Sequence, residues 1–514
     1  MNGAESLVET LSAGGVEVCF TNPGTSEMHL VAALDRQKKI QCVLGLFEGV
    51  VTAAADGYAR MAGKPACTLL HLGPGFANGI ANLHNAWRAR TPMINLIGQH
   101  ALYHLAKDTP LNSDIEGIAR PYSNWLRTSR SVSEVGRDAA EALVVSRTPP
   151  SQIATLIVPA DVAWDPGGQV AAIPAVPAAP LPLPEAIERA AKMLRSGLRT
   201  AILLGGNALR GRGLEAAGRV AAATNAKLLV PYPFPRLERG AGRPIVDRIP
   251  YVSQQAMELL KEFRQLILVG TGEPLAYFAS PTRNAELVPT DCEIHQLAKP
   301  GEDCADALEA VLSTGEFKES RKLVEPAKRP APPAGEITLD GLAAAIAVCL
   351  PENAIVVDES MTAGRGIMAA ARGAAPHDWL ANTGGSIGIA IPLAVGAAIA
   401  CKGRRVLCLS ADGSSMYTLQ GLWTMARESL NITTVILANR AYGILKREFA
   451  NLGAGEPGGI ASSLFNIGEP DLDWVSLAKG MGISGTRVHS LEDFASRLQR
   501  GLKNDGPSLI EVLV

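Results

Sequence analysis

The sequence predicts an α/β protein of three domains, each with a mainly parallel sheet flanked by helices. Short apolar runs alternate with longer segments rich in alanine and leucine, and glycines bound the runs, which is the pattern of strand–helix–strand units. Two proline-rich stretches, residues 165–184 and 325–333, interrupt this alternation and are typical of linkers. At 514 residues the chain is also too long for one ordinary core. We therefore expect domains at residues 1–165, 185–322 and 338–514.

The predicted strands are apolar at nearly every position, as parallel strands are when helices cover both faces of a sheet. They include residues 67–72, 93–97, 201–204, 266–269, 406–409 and 433–437. The first and third parts also end in similar apolar runs, at residues 155–159 and 508–512. We therefore expect the first and last domains to share an architecture.

The composition excludes several classes of partner. The chain has 48 lysine and arginine residues against 50 aspartate and glutamate residues, a net charge of −2 at pH 7, so no nucleic-acid footprint is indicated. No stretch reaches 18 apolar residues free of charge, and the amino terminus lacks a basic segment followed by an apolar one. We expect a soluble cytoplasmic protein with a small-molecule partner and no membrane contact.

Polar residues follow two of the predicted strands in the third part. Ala411-Asp412-Gly413-Ser414 comes after one strand, and Asn439 to Gly443 comes after the next. Ligands of open α/β sheets bind at such carboxyl ends, beside helix amino termini that favour phosphate. The oxygens of Asp412, Asn439 and the Ala441 carbonyl suit Mg²⁺, with diphosphate and water completing the octahedron. The alternative is that Asp412 caps a helix and Asn439 turns a loop.

Glu48 is a lone carboxylate in an apolar setting. A strand-like run, residues 42–46, precedes it, and a helical segment, residues 50–60, follows it. A carboxyl group in such surroundings is a good proton partner for a neutral nitrogen base. Glu48 is therefore a candidate acid/base, and the alternative is a solvent-facing glutamate at the start of a helix.

The order and spacing of Glu48, the glycine-rich segment 73–79, Asp412-Gly413 and Asn439 resemble those of the thiamine-diphosphate-dependent enzymes, in the group of acetolactate synthase, benzoylformate decarboxylase and pyruvate decarboxylase. The resemblance covers essentially the whole chain. It implies a pyrimidine-binding first domain, a Rossmann-like central domain and a diphosphate-binding third domain, with the thiamine-diphosphate-binding fold occurring twice. It also implies thiamine diphosphate and Mg²⁺ as cofactors, and active sites between the subunits of a homodimer or homotetramer.

The same resemblance implies the reaction and the residues that support it. Glu48 would hydrogen-bond the aminopyrimidine ring, and a 2-oxo acid or related acyl substrate would lose CO₂ to leave a carbanion-enamine. Ile387 would wedge the cofactor into a bent shape, the Gly385 carbonyl would face the aminopyrimidine, and Thr362 and Ser414 would donate to phosphate. The implied cofactor-binding positions are Asn22, Pro23, Gly24, Asn78, Thr362, Gly385, Ile387, Asp412, Gly413, Ser414, Asn439, Tyr442 and Gly443.

Two positions depart from the family pattern. Ala411 stands where the family usually has the first glycine of Gly-Asp-Gly, and Ala438 stands where it has the first asparagine of an Asn-Asn pair. The implied metal ligands of both motifs, Asp412 and Asn439, are retained.

Other positions bear on the branch of the family. Thr25 and His71 look like the hydroxyl residue and histidine of benzoylformate decarboxylase, so we expect both to face the substrate; the alternative for His71 is a buried histidine bonded to a backbone carbonyl. The second histidine of that enzyme is not evident in residues 273–279. Gly98-Gln99 looks like acetolactate synthase, although the Phe-Gln-Glu stretch of that enzyme is missing. His100, His104 and Asp114 either line a pocket or tie a surface loop.

The central part has glycine-rich turns at residues 205–213 and 270–272. Such turns either mark a dinucleotide, with FAD as the candidate, or are only tight turns. We favour a domain without FAD, because the nearest motif matches fall on the flavin-free branch. A cofactor-binding regulatory paralogue without turnover is the alternative of another class, and the retained Glu48, Asp412 and Asn439 argue against it.

Overall fold

A computed structural model describes residues 1–281, 284–314, 317 and 323–514. Within these residues the strands form sheets of six, five and seven strands, and helices flank the sheets. The predicted α/β class with three mainly parallel sheets is thereby confirmed. The predicted domain bounds remain predictions, and the end of the second domain at residue 322 lies outside the described residues.

The first sheet belongs to the amino-terminal part of the chain. Its strands are β1 (Val18–Asn22), β2 (Gln41–Leu44), β3 (Ala66–Leu70), β4 (Met93–Gln99), β5 (Trp125–Thr128) and β6 (Ile153–Pro159). They are parallel and lie in the order β2-β1-β3-β4-β6-β5. The helices of this part are α1 (Gly3–Ala13), α2 (Met28–Gln37), α3 (Glu48–Ala62), α4 (Leu72–Ala89), α5 (Ile115–Ala119), α6 (Val135–Arg147) and α7 (Ala160–Trp164).

The second sheet is also parallel. Its strands are β7 (Thr200–Leu204), β8 (Lys227–Val230), β10 (Asp247–Arg248), β11 (Gln265–Val269) and β12 (Glu293–Ala298), in the order β10-β8-β7-β11-β12. A further short strand of this part of the chain, β9 (Leu237–Arg239), lies elsewhere. The helices are α8 (Pro184–Arg195), α9 (Gly211–Thr224), α10 (Ser253–Leu260) and α11 (Cys304–Ser313).

The third sheet is the widest. The carboxyl-terminal part contributes β13 (Ala354–Glu359), β14 (His377–Ala381), β15 (Val406–Ala411), β16 (Ile432–Ala438), β17 (Ser484–Val488) and β18 (Ser508–Leu513), in the order β17-β18-β16-β15-β13-β14-β9. The helices of this part are α12 (Leu339–Cys349), α13 (Ile367–Ala370), α14 (Ala390–Ala400), α15 (Asp412–Ser415), α16 (Gly421–Arg427), α17 (Gly443–Asn451), α18 (Gly459–Phe465), α19 (Trp474–Gly480) and α20 (Leu491–Lys503).

The edge strand β9 was not predicted. It pairs antiparallel with β14, with Arg239 opposite His377 and Leu237 opposite Trp379. The middle part of the chain thus completes the sheet of the third part. A three-residue strand is too short for its periodicity to be read from the sequence.

Helices α3 and α14 bring the first and third parts of the chain into close contact. A Cβ atom on Gly396 would lie 1.8 Å from the Ala54 carbonyl oxygen, and one on Gly57 would lie 2.1 Å from the Leu393 carbonyl oxygen. The two helices therefore pack backbone against backbone. Arg60 reinforces the contact, because it donates to the Ala381 carbonyl across the same boundary at 2.8 Å.

Membrane insertion has no support in the helices. In the part of the chain that the structure describes, none of them is both long and apolar enough to cross a bilayer.

Candidate active site

Glu48 is the first residue of α3, and only 7% of it is exposed. Its carboxylate accepts hydrogen bonds from the Nδ2 atoms of Asn22, at 3.1 Å, and Asn78, at 3.0 Å. Asn22 ends β1 and Asn78 lies in α4, so two separate elements orient one buried acid. The structure contradicts the alternative of a solvent-facing glutamate. It also makes the glycine-rich segment 73–79 part of a helix.

His71 lies between β3 and α4 and is paired with a second buried carboxylate. Its Nδ1 atom is 2.8 Å from Oε2 of Glu27, a residue with no exposed surface. Glu27 also accepts from the Gly24 backbone N–H at 2.8 Å and from the Ser26 hydroxyl at 2.6 Å. The partner of His71 is therefore a side-chain carboxyl group and not the backbone carbonyl that the alternative interpretation expected. No role was assigned to Glu27 from the sequence. The signal that could have identified it is an acidic residue two positions after Thr25, in the segment already assigned to the site.

Glycines hold this pair in position. A Cβ atom on Gly98 would lie 1.7 Å from Oε1 of Glu27, and one on Gly24 would lie 2.3 Å from the ring of His71, so neither site has room for a side chain. The side chain of His71 keeps 22% of its surface exposed. Thr25 begins the short helix Thr25–Glu27 beside it and is itself exposed, while Pro23 and Gly24 are half-buried.

The loop after β4 brings further histidines near His71. The rings of His100 and His104 stack with centroids 5.5 Å apart, and His100 Nε2 lies 3.3 Å from the Thr109 hydroxyl. Burial lowers the pKa of His100, and the neighbouring His104 and His71 act in the same direction. Asp114 instead caps α5, because its carboxylate accepts the Gly117 N–H at 2.8 Å. The two histidines are half-buried, and Asp114 holds the loop.

A second buried acid lies at the carboxyl end of β15. Asp412 is 2% exposed and accepts the backbone N–H groups of Gly413, at 2.9 Å, and Arg440, at 2.7 Å. Asn439 follows the adjacent strand β16; its Oδ1 accepts from Ala441 N–H at 3.1 Å, and its Nδ2 donates to Thr362 at 3.3 Å. The loops after β13, β15 and β16 are thus tied together. Burial raises the pKa of Asp412 above its ordinary value.

The donor set around Asp412 suits a hard cation. Each carboxylate oxygen of Asp412 accepts one hydrogen bond, as does Oδ1 of Asn439, so each oxygen retains a lone pair. Within the described residues, no group of three or more His, Cys, Asp or Glu side chains could hold a metal ion. One carboxylate, one amide and the Ala441 carbonyl offer oxygen only, which fits Mg²⁺ with phosphate and water ligands and does not fit zinc.

The same loops form a close-packed cradle. A Cβ atom on Gly413 would lie 2.7 Å from the ring of Tyr442, and one on Gly443 would lie 3.1 Å from Oγ1 of Thr362. Ser414 is 4% exposed. The glycines therefore let the backbone approach closely where the predicted diphosphate contacts meet.

The loop between β14 and α14 carries Gly385 and Ile387. Gly385 is exposed with a φ of +79°, and Ile387 is half-buried. Glu359, which was not predicted, anchors the loop by accepting from the N–H groups of Gly388, at 3.1 Å, and Ala390, also at 3.1 Å. Burial raises the pKa of Glu359 to about 7, although these hydrogen bonds lower it.

Among the described residues of one chain, no hydrogen bond joins Glu48 or its partners to Asp412 or its partners. The loop contacts α4 at Asn85, whose amide oxygen accepts the Gly384 and Ser386 N–H groups at 3.1 and 3.2 Å. Asn85 is seven residues beyond Asn78, or about 10 Å along the helix at 1.5 Å per residue. The hydrogen-bond partners described for the Glu48 carboxylate all lie in the first part, and those of Asp412 lie in the third.

The glycine-rich turns of the central part have a packing role. A Cβ atom on Gly205 would lie 2.7 Å from the Gly270 carbonyl oxygen, and one on Gly270 would lie 2.7 Å from that of Gly205. The ends of β7 and β11 therefore approach too closely for side chains. Close packing therefore accounts for Gly205 and Gly270, whereas a Cβ atom on Gly272 would meet nothing within 4 Å.

Two family models match the chain. One, described as "Thiamine pyrophosphate enzyme, N-terminal TPP binding domain", matches residues 1–118. The other, described as "Thiamine pyrophosphate enzyme, C-terminal TPP binding domain", matches residues 363–512. Glu48 and His71 fall in the first range, and Asp412 and Asn439 fall in the second.

Relatives match over nearly full length. The chain is 50% identical to a Mycobacterium tuberculosis protein provisionally named acetolactate synthase large subunit IlvX, covering 100% of this chain and 99% of that protein. It is 28% identical to benzoylformate decarboxylase of Pseudomonas aeruginosa, with 98% and 97% covered. It is 26% identical to acetolactate synthase isozyme 1 large subunit of Escherichia coli, with 100% and 94% covered.

Solved structures share the fold. A thiamine-diphosphate-dependent 4-hydroxybenzoylformate decarboxylase of Rhodococcus jostii RHA1 superposes with a TM-score of 0.87 at 23% identity, with 100% and 99% of the chains covered. Benzoylformate decarboxylase of Polynucleobacter necessarius superposes with a TM-score of 0.85 at 20% identity, with the same coverage. At these identities the likeness concerns the fold.

Proposed function

The chain belongs to the thiamine-diphosphate-dependent enzymes of the acetolactate synthase and benzoylformate decarboxylase group, and on that premise we propose that it is a Mg²⁺-dependent 2-oxo acid decarboxylase or carboligase resembling benzoylformate decarboxylase. The observation that carries the proposal lies at Gly75. A Cβ atom there would be 3.2 Å from Oε1 of Glu48 and 3.2 Å from Cβ of His71. A buried acid and an imidazole thus flank one glycine.

Thiamine diphosphate, when bound, supplies the electron sink for breaking the bond beside a 2-oxo acid carbonyl. Glu48 would hold a proton against its aminopyrimidine ring, and the amides of Asn22 and Asn78 keep that carboxylate oriented. Asp412, Asn439 and the Ala441 carbonyl would hold Mg²⁺. The remaining cofactor contacts in this proposal come from Pro23, Gly24, Thr362, Gly385, Ile387, Gly413, Ser414, Tyr442 and Gly443.

His71 and Thr25 would act on the substrate. Glu27 engages Nδ1 of His71, so the imidazole can present Nε2 to the substrate and pass a proton there. The exposed Thr25 hydroxyl is adjacent in the chain to the Gly24 that packs on this ring. Both residues are therefore available for a substrate carboxylate or a developing alkoxide.

The functional unit in this proposal is a homodimer or homotetramer. Glu48 and Asp412 have no hydrogen-bond partner in common, and the third part of the same chain contacts α4 at Asn85, away from Glu48. A second copy would bring its Asp412 loop to Glu48 and complete the site.

Acetolactate synthesis is the second candidate, because the relative that is 50% identical carries that name. Pyruvate would then be converted to 2-acetolactate at the same site. FAD is a cofactor only in this alternative, and we do not favour it, since close packing accounts for Gly205 and Gly270. In the first candidate a proton takes the place of the lost CO₂ on the keto carbon. In the second, that carbon forms a bond to a second carbonyl compound.

A substrate screen tests the proposal. Purified protein with thiamine diphosphate and Mg²⁺ is incubated with phenylglyoxylate, pyruvate, glyoxylate, and oxalyl or formyl thioesters, while CO₂ and acyloin are measured. Release of CO₂ and aldehyde from phenylglyoxylate supports the decarboxylase, and 2-acetolactate from pyruvate supports the alternative. No turnover of any substrate by protein with bound cofactor would favour the non-catalytic regulatory paralogue. Glu48→Gln serves as the matched inactive control.

A further inference from the structure

A cavity of about 300 Å³ lies between the central and third parts of the chain, and no step proposed above uses it. Its walls come from β8, β9, β10, α10 and α13. Five of the residues that line it are basic, and one is acidic: Lys227, Arg239, Arg248, Arg365 and Arg372 against Asp247. The positive charge around this open pocket raises the question of which anions balance it.

Arg239 is the most buried of these residues, with 8% of it exposed. Its Nη1 atom donates to the Met368 carbonyl at 2.6 Å, and its guanidinium carbon lies 5.2 Å from the ring centroid of Trp379. Neither contact neutralises the charge. Burial lowers the pKa of Arg239 to about 9; Glu325 opposes this effect, whereas Arg372 and Arg248 add to it.

Two nearby carboxylates are already engaged in ion pairs, and that of Asp358, which also raises the pKa of Arg239, accepts hydrogen bonds from the Ser360 N–H and hydroxyl. Asp247 pairs with Lys227 at 3.0 Å and with Arg372 at 2.9 Å. Glu325 pairs with Arg372 at 2.7 Å. Among the described residues, Arg239, Arg248 and Arg365 have no ion-pair partner, although Arg248 stacks on Tyr232 at 5.0 Å. Three guanidinium groups of the described residues therefore line the cavity without forming an ion pair.

We propose that this cavity is a phosphate-binding site formed by Arg239, Arg248 and Arg365. Guanidinium groups match the tetrahedral oxygens of phosphate with paired hydrogen bonds. An anion there would relieve the repulsion between cations held in a partly desolvated space. Arg239 and Arg248 lie outside the loops assigned to the cofactor diphosphate, whereas Arg365 lies three residues after Thr362 in the loop after β13. The ligand is either free phosphate or the phosphate group of a small metabolite.

Calorimetric titration with inorganic phosphate tests the site. The protein is first saturated with thiamine diphosphate and Mg²⁺, so that the probe cannot enter the diphosphate site, and chloride at equal ionic strength is the blank. We expect saturable binding to the wild type. Arg248→Gln and Arg365→Gln should each weaken it about tenfold or more, the ratio expected from losing one hydrogen bond to a charged group.

The control variant is Arg212→Gln, because Arg212 is an exposed arginine of the same part of the chain that pairs with Asp306 and Glu309. It should bind phosphate like the wild type.

Titration with ADP and with adenosine separates the two sources: tighter binding of ADP than of phosphate indicates a phosphorylated metabolite, and equal binding indicates free phosphate. Absence of saturable binding above the chloride blank, or equal weakening in all three variants, would overturn the proposal.

Discussion

The Nδ1 atom of His71 lies 2.8 Å from Oε2 of Glu27, and that glutamate has no exposed surface. The oxygens of a carboxylate accept hydrogen bonds, so this contact favours the tautomer of His71 with the proton on Nδ1. Nε2 is then the atom left to exchange protons with a substrate. Glu27 thus positions the group that we assign to the substrate, without touching the substrate itself.

Glu27→Gln should release this constraint on His71. The amide keeps the volume but loses the charge, so kcat/KM should fall at least about tenfold, as expected for a charge-assisted bond of about 1.5–3 kcal/mol. Long-range ¹H–¹⁵N spectra of the histidine ring report which nitrogen is protonated, and we expect the tautomer populations to change. The exposed Glu258→Gln is the control. An unchanged tautomer together with unchanged kcat/KM would remove Glu27 from the account.

Asp412→Ala should abolish binding of thiamine diphosphate with Mg²⁺. The substitution removes the carboxylate of the proposed metal site, which is otherwise built from neutral oxygens, and the metal would in turn hold the diphosphate. Isothermal calorimetry measures the affinity directly. Asp505→Ala, at a side chain that is 88% exposed, should bind as the wild type does. Wild-type affinity in Asp412→Ala would rule out the assigned metal site.

Glu359 should make the stability of the cofactor-free protein depend on pH. Burial raises its pKa from 4.5 to about 7, so between these values the folded state holds a proton that the unfolded chain releases. The contribution of this proton to the free energy of unfolding is complete below about pH 4 and is lost as the pH rises to about 7. Its magnitude is on the order of 3 kcal/mol. Urea unfolding measures the free energy of unfolding at pH 5 and at pH 8. We expect the difference between these two values to be smaller in Glu359→Gln than in the wild type. Parallel pH profiles would contradict this role.

Mixing two inactive variants tests the shared site. Suppose that each site joins Glu48 of one subunit to Asp412 of the other. A heterodimer of Glu48→Gln and Asp412→Ala then has one site with both substitutions and one site with neither. Random exchange makes half of the dimers mixed, so about one quarter of the wild-type activity should return. The unmixed variants provide the baseline. No recovery after subunit exchange, verified by mass spectrometry, would place both residues in one subunit.

The sequence predicted the sheets well because each strand is continuously apolar. The run at residues 433–437, for example, became β16 (Ile432–Ala438), with one residue added at each end. Fully buried parallel strands leave this signal, whereas β9 is a three-residue edge strand whose partner lies more than 130 residues away. Pairing over that distance is set by tertiary packing, which local periodicity does not encode.

The sequence predicted the position of Asp412 at the carboxyl end of a strand and the apolar surroundings of Glu48, and the structure shows both, while their roles remain predictions. The structure adds the residues that hold those groups in place. Glu27 and Glu359 act by accepting hydrogen bonds from distant or backbone donors, and a single sequence does not reveal such partners. Gly98 illustrates the same limit, because its need for glycine arises only from the carboxylate packed against it.

The central claim is that Glu48 activates the bound cofactor and does not anchor it. Hydrogen–deuterium exchange at the thiazolium C2 position of protein-bound thiamine diphosphate measures that activation directly. General acid/base catalysis contributes about 10² to 10⁴ fold, so the exchange rate should fall on that scale in Glu48→Gln. The calorimetric affinity of this variant for the cofactor should fall much less. The control variant Glu258→Gln should match the wild type in both measurements. Equal exchange rates in the wild type and Glu48→Gln would contradict the account.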